Sequence, residues 1–189
     1  ATSSAYTATQ TVDTWYQCIV TCAPSGLVDT SDVLEVTTNT FVNCYCTSTA
    51  TSTADEEILN VTISTLNNSS TCGTTAPGPG SVSGMYSNYT TSVAAPILSP
   101  GVVYPISIEV GTCGGNYSNW TKAWIDFNQN GMFTDPGEEV YSSTTFTAGP
   151  HLENGLVTVP ATAVAGLTRM RVVTVETTLG TNVNPCGTY

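Results

Sequence analysis

Hydrophobic and polar residues alternate with a period of two along most of the chain, and the longer period of an amphipathic helix is nearly absent. Successive side chains of a strand point to opposite faces, so this alternation predicts strands that bury one face. The chain is therefore expected to be all-β. The clearest runs lie at 33–42, 58–64, 103–110, 123–127, 156–159 and 169–176.

Clusters of Gly, Pro, Asn and Ser separate these short strands, and the segment 72–84 is expected to be a long loop. In the last strand Met170 and Val172 face one way while Arg169 and Arg171 face the other, which indicates one buried and one solvent-exposed face. A single sheet cannot cover its own apolar face. We therefore predict a two-sheet antiparallel β-sandwich, immunoglobulin-like or jelly-roll-like.

Residues 1–44 differ in character from residues 45–189. They contain no Lys or Arg, begin with a Thr- and Ser-rich stretch, and include a strand-like run at 6–16 that ends in aromatic residues. We interpret 1–44 as an extended arm or small subdomain that can act as a donor strand, and 45–189 as the sandwich. The alternative is an extra edge strand of the same sandwich, because sequential strands commonly pair.

The charge of the chain excludes two classes of partner. The net charge is −11, and Lys122, Arg169 and Arg171 are the only cations. Three cations cannot neutralise a phosphate backbone or hold the chain on an anionic membrane, so binding to nucleic acid or to such a membrane is excluded. No apolar run approaches the roughly 18 residues of a transmembrane helix, and membrane insertion is not expected.

Seven cysteines indicate an oxidising compartment, and the chain is expected outside the cell or at its surface. No signal-peptide pattern precedes Ala1, which fits a signal already removed or a processed fragment. A zinc site is disfavoured because the close cysteine spacings are not standard ligand patterns and His151 is the only histidine.

The cysteine positions predict one disulfide directly. Cys72 and Cys113 both lie in Gly-rich loops next to strands, so we expect them to pair. Cys18, Cys22 and Cys44 compete for one further bridge. Because seven is an odd number, at least one sulfur is free, pairs with another chain or has lost its partner.

Residues 126–138, with the sequence DFNQNGMFTDPGE, form the densest cluster of oxygen ligands. Oxygens at positions 1, 3, 5 and 7 and Gly131 at position 6 match a calcium loop, although no carboxylate lies at position 12 of the EF-hand spacing. The alternative is a turn without an ion, in which Asn and Asp side chains bond their own backbone. The predicted ligands are Asp126, Asn128, Asn130, the carbonyl of Met132, Asp135 and Glu138.

Two patterns are compatible with sugars. Asn-x-Ser/Thr sequons are dense for this length, although a chain rich in Thr, Ser and Asn also generates them by composition alone. Trp120 with Tyr117 is a candidate stacking platform for carbohydrate, whereas Trp124 is assigned to the core. The candidate glycosylation sites are Asn60, Asn67, Asn68, Asn88, Asn116 and Asn119.

The sequence offers little for catalysis, and we do not expect an enzyme. A Ser-His-Asp triad would have to be built on His151, which lies in a segment of turn composition. The adjacent carboxylates Glu56 and Glu57, like Glu138 and Glu139, point to opposite faces of a strand and cannot flank one bond.

Several short motifs occur in a fixed order from residue 45 onward. They are YC at 45–46, EILNVTI at 57–63, LNNSS at 66–70, YSNYT at 86–90, AWIDFNQNG at 123–131, FTDPGEEV at 133–140, VPA at 159–161, TRMRV at 168–172 and PCGTY at 185–189. Together they resemble the GEVED domain family of bacterial secreted and surface proteins. The resemblance implies a secreted β-sandwich module in which Cys46 pairs with Cys186 and closes a loop of about 140 residues.

One part of the family pattern is missing from this sequence. The Gly-Glu-Val-Glu-Asp-Tyr strand that names the family is expected immediately after Tyr189. Without it, one sheet is expected to keep an open edge and an apolar groove, which another chain can fill. Residues 1–17 have the length and pattern to add as a strand to a neighbouring copy.

These features lead to two hypotheses. The first is an extracellular structural protein, a pilus-like filament subunit that self-associates head to tail by strand complementation. The alternative is a monomeric accessory module that binds carbohydrate or another surface polymer beside a secreted hydrolase, with the closing strand supplied elsewhere.

Overall fold

A computed structural model describes residues 5, 7–8, 10, 12–38, 44–52 and 55–189. Within these residues the chain forms an N-terminal β-ribbon and an antiparallel β-sandwich, and the only helical segment is a single 3-10 turn at Gly180–Asn182. The prediction of an all-β sandwich is confirmed. None of the described helical structure has the length and hydrophobicity to cross a membrane.

The ribbon consists of four short strands that fold back as one interrupted hairpin. Its outer pair is β1 with β4 and its inner pair is β2 with β3, both antiparallel. Gly26, with a φ of 69°, lies in the turn at the tip, where a left-handed backbone favours glycine. The strands are Thr14–Tyr16 (β1), Ile19–Thr21 (β2), Val28–Thr30 (β3) and Leu34–Val36 (β4).

The ribbon departs from the single extended arm expected for this region. Of the predicted run 6–16, the described residues form a strand only at 14–16, and that strand pairs with β4. Of the predicted strand 33–42, three residues are in β4, and residues 39–43 lie outside the described part of the chain. Residues 14–36 therefore pair with one another and add no strand to either sheet of the sandwich.

The sandwich is built from two sheets. The first has the order β11-β7-β5-β6, with strands Glu56–Ile63 (β5), Leu66–Ser69 (β6), Val103–Thr112 (β7) and His151–Thr158 (β11). The second is centred on Ser118–Ile125 (β8), with Met170–Glu176 (β12) on one side. Glu139–Ser142 (β9) and Thr147–Ala148 (β10) occupy the other side of β8 in succession.

The main core lies between the sheets and follows the alternation seen in the sequence. In β7 the residues Ile106, Ile108 and Val110 are buried, with exposed or half-buried residues between them. The pairing of β5 with β7 places Val61 opposite Ile108 and so brings two apolar rows together. The buried set is Val61, Ile63, Ile106, Ile108, Val110, Ala123, Ile125, Phe127, Val157 and Val159.

The outer face of the second sheet is covered as well, which corrects the expectation that it is wet. Trp124, Phe133, Val173 and Val183 form a second buried cluster on this face. Arg171 is only 7% exposed, and its guanidinium donates to the carbonyl oxygens of Cys46 and Pro185. The face is buried because segments near the two ends of the sandwich cross over it.

Both predicted disulfides are confirmed. Cys46 pairs with Cys186 across a Cα–Cα distance of 5.5 Å, and Cys72 pairs with Cys113 across 5.6 Å. The first bridge links the two segments that cover the second sheet. The second bridge links the loop after β6 to the end of β7.

Cys18 and Cys22 carry exposed thiols in the ribbon. They are four residues apart along an extended strand and so lie about 13 Å apart, well beyond the roughly 7 Å limit for a disulfide. A Cys18–Cys22 bridge, one of the predicted combinations, is therefore wrong for this ribbon. Cys44 is exposed and lies outside the two disulfides.

Replacing Cys46 and Cys186 with Ser should destabilise the sandwich more than replacing Cys72 and Cys113. The chain-entropy model gives about 5 kcal/mol for a bridge spanning 140 residues and about 4 kcal/mol for one spanning 41. The longer bridge also holds down the segments that accept hydrogen bonds from Arg171. Denaturant unfolding of the two double variants measures the difference, and a larger loss in the Cys72/Cys113 variant would contradict it.

Candidate functional site

The two sheets of the sandwich do not match in width. At one side β9 packs over β11, and further along β12 packs over β5. Beyond β5 the first sheet continues with β6, whereas no described strand follows β12 in the second sheet. The second sheet therefore has an unpaired edge at β12 and an empty strand position opposite β6.

A groove of about 1110 Å³ lies at this position. Its walls include Ile58 and Leu66 from the first sheet and Met170 and Val172 from β12, all of them half-buried members of the core. Small-molecule pockets typically measure about 300–1,000 Å³, so this groove is large for such a ligand. An apolar groove beside a free strand edge suits an added β-strand, because main-chain groups pair with the edge and alternate side chains enter the groove.

The rim of the groove is also apolar. Ile97 is 84% exposed and Leu167 is 66% exposed, and both lie on loops that line the opening. Arg169 and Arg171 lie at the end where β12 begins. Glu176 lies at the other end of β12, and Glu56 and Glu57 also line the groove. The guanidinium groups of both arginines contact Tyr45, Phe133, Cys46 and Pro185 on the outer face of the second sheet, so they do not give the groove a cationic end.

The ribbon exposes apolar side chains on both of its faces. The register pairs Ile19 with Thr30 and Thr21 with Val28, so Ile19 and Val28 share one face, while Val20 lies on the other. An isolated two-stranded ribbon is only marginally stable in water, so a surface of this kind gains stability by docking. The apolar residues of this segment that are more than one third exposed are Val12, Trp15, Ile19, Val20, Leu27, Val28, Val33, Leu34 and Val36.

The loop 126–138 is built around Asp126, whose side chain is fully buried. Asp126 Oδ2 accepts the hydroxyl of Tyr45 at 2.7 Å and the N–H of Gly131 at 2.9 Å, and Oδ1 accepts the N–H of Asn130 at 3.3 Å. Gln129 and Gly131 have φ values of 59° and 83°, which bend the backbone around the carboxylate. The loop thus wraps its first acidic residue.

Two asparagines of this loop join it to Asp135. Asn128 and Asn130 donate from Nδ2 to Asp135 Oδ2 at 2.9 and 2.6 Å, and these bonds hold the pKa of Asp135 below its usual value. Asn128 Oδ1 also accepts the N–H of Asn130, and Asn130 Oδ1 accepts the N–H of Met132. The Asx-turn bonds of the alternative interpretation are therefore present.

Glu138 has an unsatisfied oxygen. The residue is 2% exposed, and its Oε1 accepts the N–H of Phe127 at 3.1 Å. Oε2 is buried and has no hydrogen-bond partner among the described residues. Burial, with a smaller contribution from the nearby carboxylates of Asp126 and Asp135, raises the pKa of Glu138. The structure thus brings together five predicted ligands, Asp126, Asn128, Asn130, Asp135 and Glu138, with Met132 in the same loop.

Tyr45 connects this loop to the start of the sandwich, a link that the sequence did not assign. Its ring stacks on Phe133 at 4.8 Å, and the guanidinium of Arg169 lies 4.8 Å from the ring centroid. Burial and the hydrogen bond to Asp126 raise the pKa of Tyr45 to about 12. Tyr45 and Asp126 are 81 positions apart, so no local spacing predicts this contact.

The predicted glycosylation sites differ in exposure. Asn119 is fully buried and Asn88 is buried with its amide donating to the carbonyl of Pro79, so a glycan on either side chain does not fit this fold. Asn60 donates to Asn67 across the β5–β6 pair. Asn67 and Asn116 are exposed, and Asn60 and Asn68 are half-buried.

The proposed sugar platform is not an open pair of rings. Trp120 is half-buried, donates from Nε1 to Ser142 Oγ at 3.0 Å, and packs against Gly180 so closely that a Cβ there would meet its ring. Tyr117 is exposed and lies against Gly115. Trp124 is buried, as expected for a core residue.

His151 lies at the start of β11 rather than in a turn. Its Nδ1 is 2.7 Å from the carbonyl of Gly149, and its Nε2 is 3.3 Å from Glu153 Oε1. Tyr141 and Ser143 also donate to Glu153, at 2.5 and 2.6 Å. The Ser143 hydroxyl thus contacts the carboxylate and not the imidazole, and the cluster joins β9 to β11.

Replacing Tyr45 with Phe should lower the free energy of unfolding by about 1–3 kcal/mol, because Asp126 Oδ2 loses a buried donor. The raised pKa stabilises the fold at pH values below the usual tyrosine pKa of 10, and this contribution is lost as the pH rises towards 12. The variant should therefore lose less stability than the wild type between pH 8 and pH 11. Denaturant unfolding at both pH values measures these effects.

The exposed Tyr117 supplies the matched control for this experiment. Tyr117→Phe removes the same hydroxyl from a solvent-accessible site and should change stability by less than about 0.5 kcal/mol. Equal losses of unfolding free energy in the two variants would show that the Tyr45–Asp126 hydrogen bond stabilises the fold no more than a solvent-exposed hydroxyl does.

Comparison with protein families matches residues 120–189 to the GEVED domain. The match includes the loop 126–138, β12 and Cys186, and it covers less than half of the chain, so the motifs at 45–90 lie outside it. No curated protein matches significantly, and no solved structure does so either. The resemblance to the GEVED domain is thus confirmed for residues 120–189, and a GEVED domain suggests an extracellular module of bacterial proteins.

Proposed function

We propose that the chain is a structural subunit of an extracellular assembly, in which the open β12 edge of one copy receives the N-terminal ribbon of another. The disulfides and the GEVED match support an extracellular module. The role depends on binding rather than catalysis. Head-to-tail addition leaves a free ribbon at one end and a free groove at the other, so repetition produces a filament.

The observation that carries this proposal is the empty strand position beside β12. Natural sheets protect long exposed edges because unpaired N–H and C=O groups recruit other strands. Here the edge lies over a groove lined by Met170 and Val172, so an added strand gains apolar burial as well as main-chain hydrogen bonds. A strand added at this position would cover the apolar residues that the second sheet leaves open.

The ribbon is favoured as the occupant by its exposed apolar side chains and its free strand edges. It exposes the apolar residues that the groove can bury, and the two outer edges of β1 and β4 are unpaired among the described strands.

A pair of variants tests the two surfaces separately. Ile19→Asp with Val28→Asp places charge on one face of the ribbon, and Leu167→Asp places charge on the groove rim. Each variant alone should be monomeric in sedimentation velocity, because one of its two docking surfaces is spoiled. A mixture of the two should form heterodimers but no longer species, since only one intact ribbon and one intact groove remain per pair.

The control places the same charge on a remote surface. Leu152→Asp with Leu156→Asp alters two exposed residues on one face of β11, at the sheet edge far from β6. This variant should assemble like the wild type. A monomeric wild type, or assembly that survives both surface variants, contradicts the proposal and favours a groove filled from within the same protein or a different partner.

A further inference from the structure

The buried face of the loop 126–138 holds two carboxylates that the fold does not neutralise. Asp126 is fully buried and receives hydrogen bonds only from uncharged groups, Tyr45 and the backbone of Asn130 and Gly131. Glu138 is buried beside it and keeps one oxygen without any partner among the described residues. A buried polar atom of this kind costs free energy unless a ligand satisfies it.

Both carboxylates belong to one small region. Glu138 Oε1 accepts the N–H groups of Phe127 and Asn128, the two residues that follow Asp126, so the carboxylate lies against the start of the loop. Asp135 lies at the other side, tied to Asn128 and Asn130. The three acidic residues and both asparagines therefore contact the same loop, which also contains Met132.

We propose that this loop binds one Ca²⁺ through Asp126, Asn128, Asn130, Asp135, Glu138 and the main-chain carbonyl of Met132, with the unsatisfied Glu138 oxygen as the closing ligand. All six donors are oxygens, which suits a hard cation that takes six to eight oxygen ligands. No sulfur or imidazole ligand takes part. Ca²⁺ is favoured over Mg²⁺ because an irregular loop with long spacings does not supply a strict octahedron.

The two asparagine amides stabilise the loop when no ion is bound. Within the described residues no three Asp, Glu, His or Cys side chains converge as a metal-binding group, so the ion also needs the amide and carbonyl oxygens. In this structure Asn128 and Asn130 direct their NH₂ groups at Asp135. Each amide oxygen accepts one backbone N–H and keeps a second lone pair, which can bind a cation shared with the carboxylates.

The composition of the site sets the expected affinity. Asparagine occupies the third and fifth positions, where aspartate would add charge, and affinity rises with the number of charged ligands. A dissociation constant of about 10⁻⁴–10⁻³ M, the range of extracellular calcium modules, is therefore expected. The ion would fix Asp126 and with it Tyr45, on the face of the second sheet opposite the main core.

Calorimetric titration of the full chain with CaCl₂, after treatment with a chelator, tests the proposal. One ion should bind per chain, and 10 mM CaCl₂ should raise the melting temperature by about 2–10 °C, whereas equal MgCl₂ should have a smaller effect. Glu138→Gln keeps the shape of the side chain and should weaken Ca²⁺ binding at least tenfold. Glu139→Gln, one residue further along, is the matched control.

Glu139 is suited to this comparison because it points to solvent and pairs with Lys122 at 2.9 Å. The Glu139→Gln chain should bind Ca²⁺ within about twofold of the wild type, since the loss of a surface ion pair has little effect. In the presence of chelator, Glu138→Gln should be no less stable than the wild type, because it removes a buried charge. This result separates a ligand from a residue needed only for folding.

Three results would contradict the proposed calcium site. The absence of saturable Ca²⁺ binding, an unchanged affinity in Glu138→Gln, or equal losses in the two glutamine variants would each overturn the calcium site. None of these outcomes bears on the ribbon and groove, which lie on other residues.

Discussion

The first sheet of the sandwich has four strands, and the second sheet has only three strand positions to cover them. This difference in width determines where apolar surface is hidden and where it is not. Over β11, β7 and β5 the two sheets pack against each other and the core residues are buried. Opposite β6 the second sheet has no described strand, and the apolar rows of the core continue into an open groove. The feature that makes the fold incomplete is thus also its main candidate for interaction.

The other face of the second sheet is closed by a different means. The chain has few charged residues, and it uses two of its three cations here, with Arg169 over the ring of Tyr45 and Arg171 over the ring of Phe133. Guanidinium groups can stack on rings and donate to carbonyl oxygens at the same time. Together with the Cys46–Cys186 bridge, these contacts attach both ends of the sandwich to one surface.

The alternation predicted β5, β7, β12 and the ends of β8 and β11, and it missed β6, β9, β10 and the first halves of β8 and β11. β5, β7 and β12 follow the alternation closely. The first half of β11 was missed because Leu152 points outward while Glu153 points inward and accepts hydrogen bonds from Tyr141 and Ser143. The ribbon strands are only three residues long, and neither face is buried, so periodicity could not define their pairing.

The candidate sites could likewise be predicted only where they depend on residues close together in the sequence. The ligand spacing within 126–138 is local and could be predicted, and so could the disulfide between the loops next to β6 and β7. The bond from Tyr45 to Asp126 and the unsatisfied oxygen of Glu138 depend on how distant segments meet, which spacing along the chain does not contain. The position of the groove likewise follows from the relative width of two sheets.

The placement of the cations also has a consequence for resistance to proteolysis. Proteases that cleave after Lys or Arg need an accessible, flexible stretch of backbone around such a residue. Lys122 and Arg171 lie within paired strands, Arg169 directly precedes one, and the exposed ribbon contains neither residue type. Proteases of this specificity therefore find their three cleavage positions in or next to paired strands of the sandwich and none in the exposed ribbon.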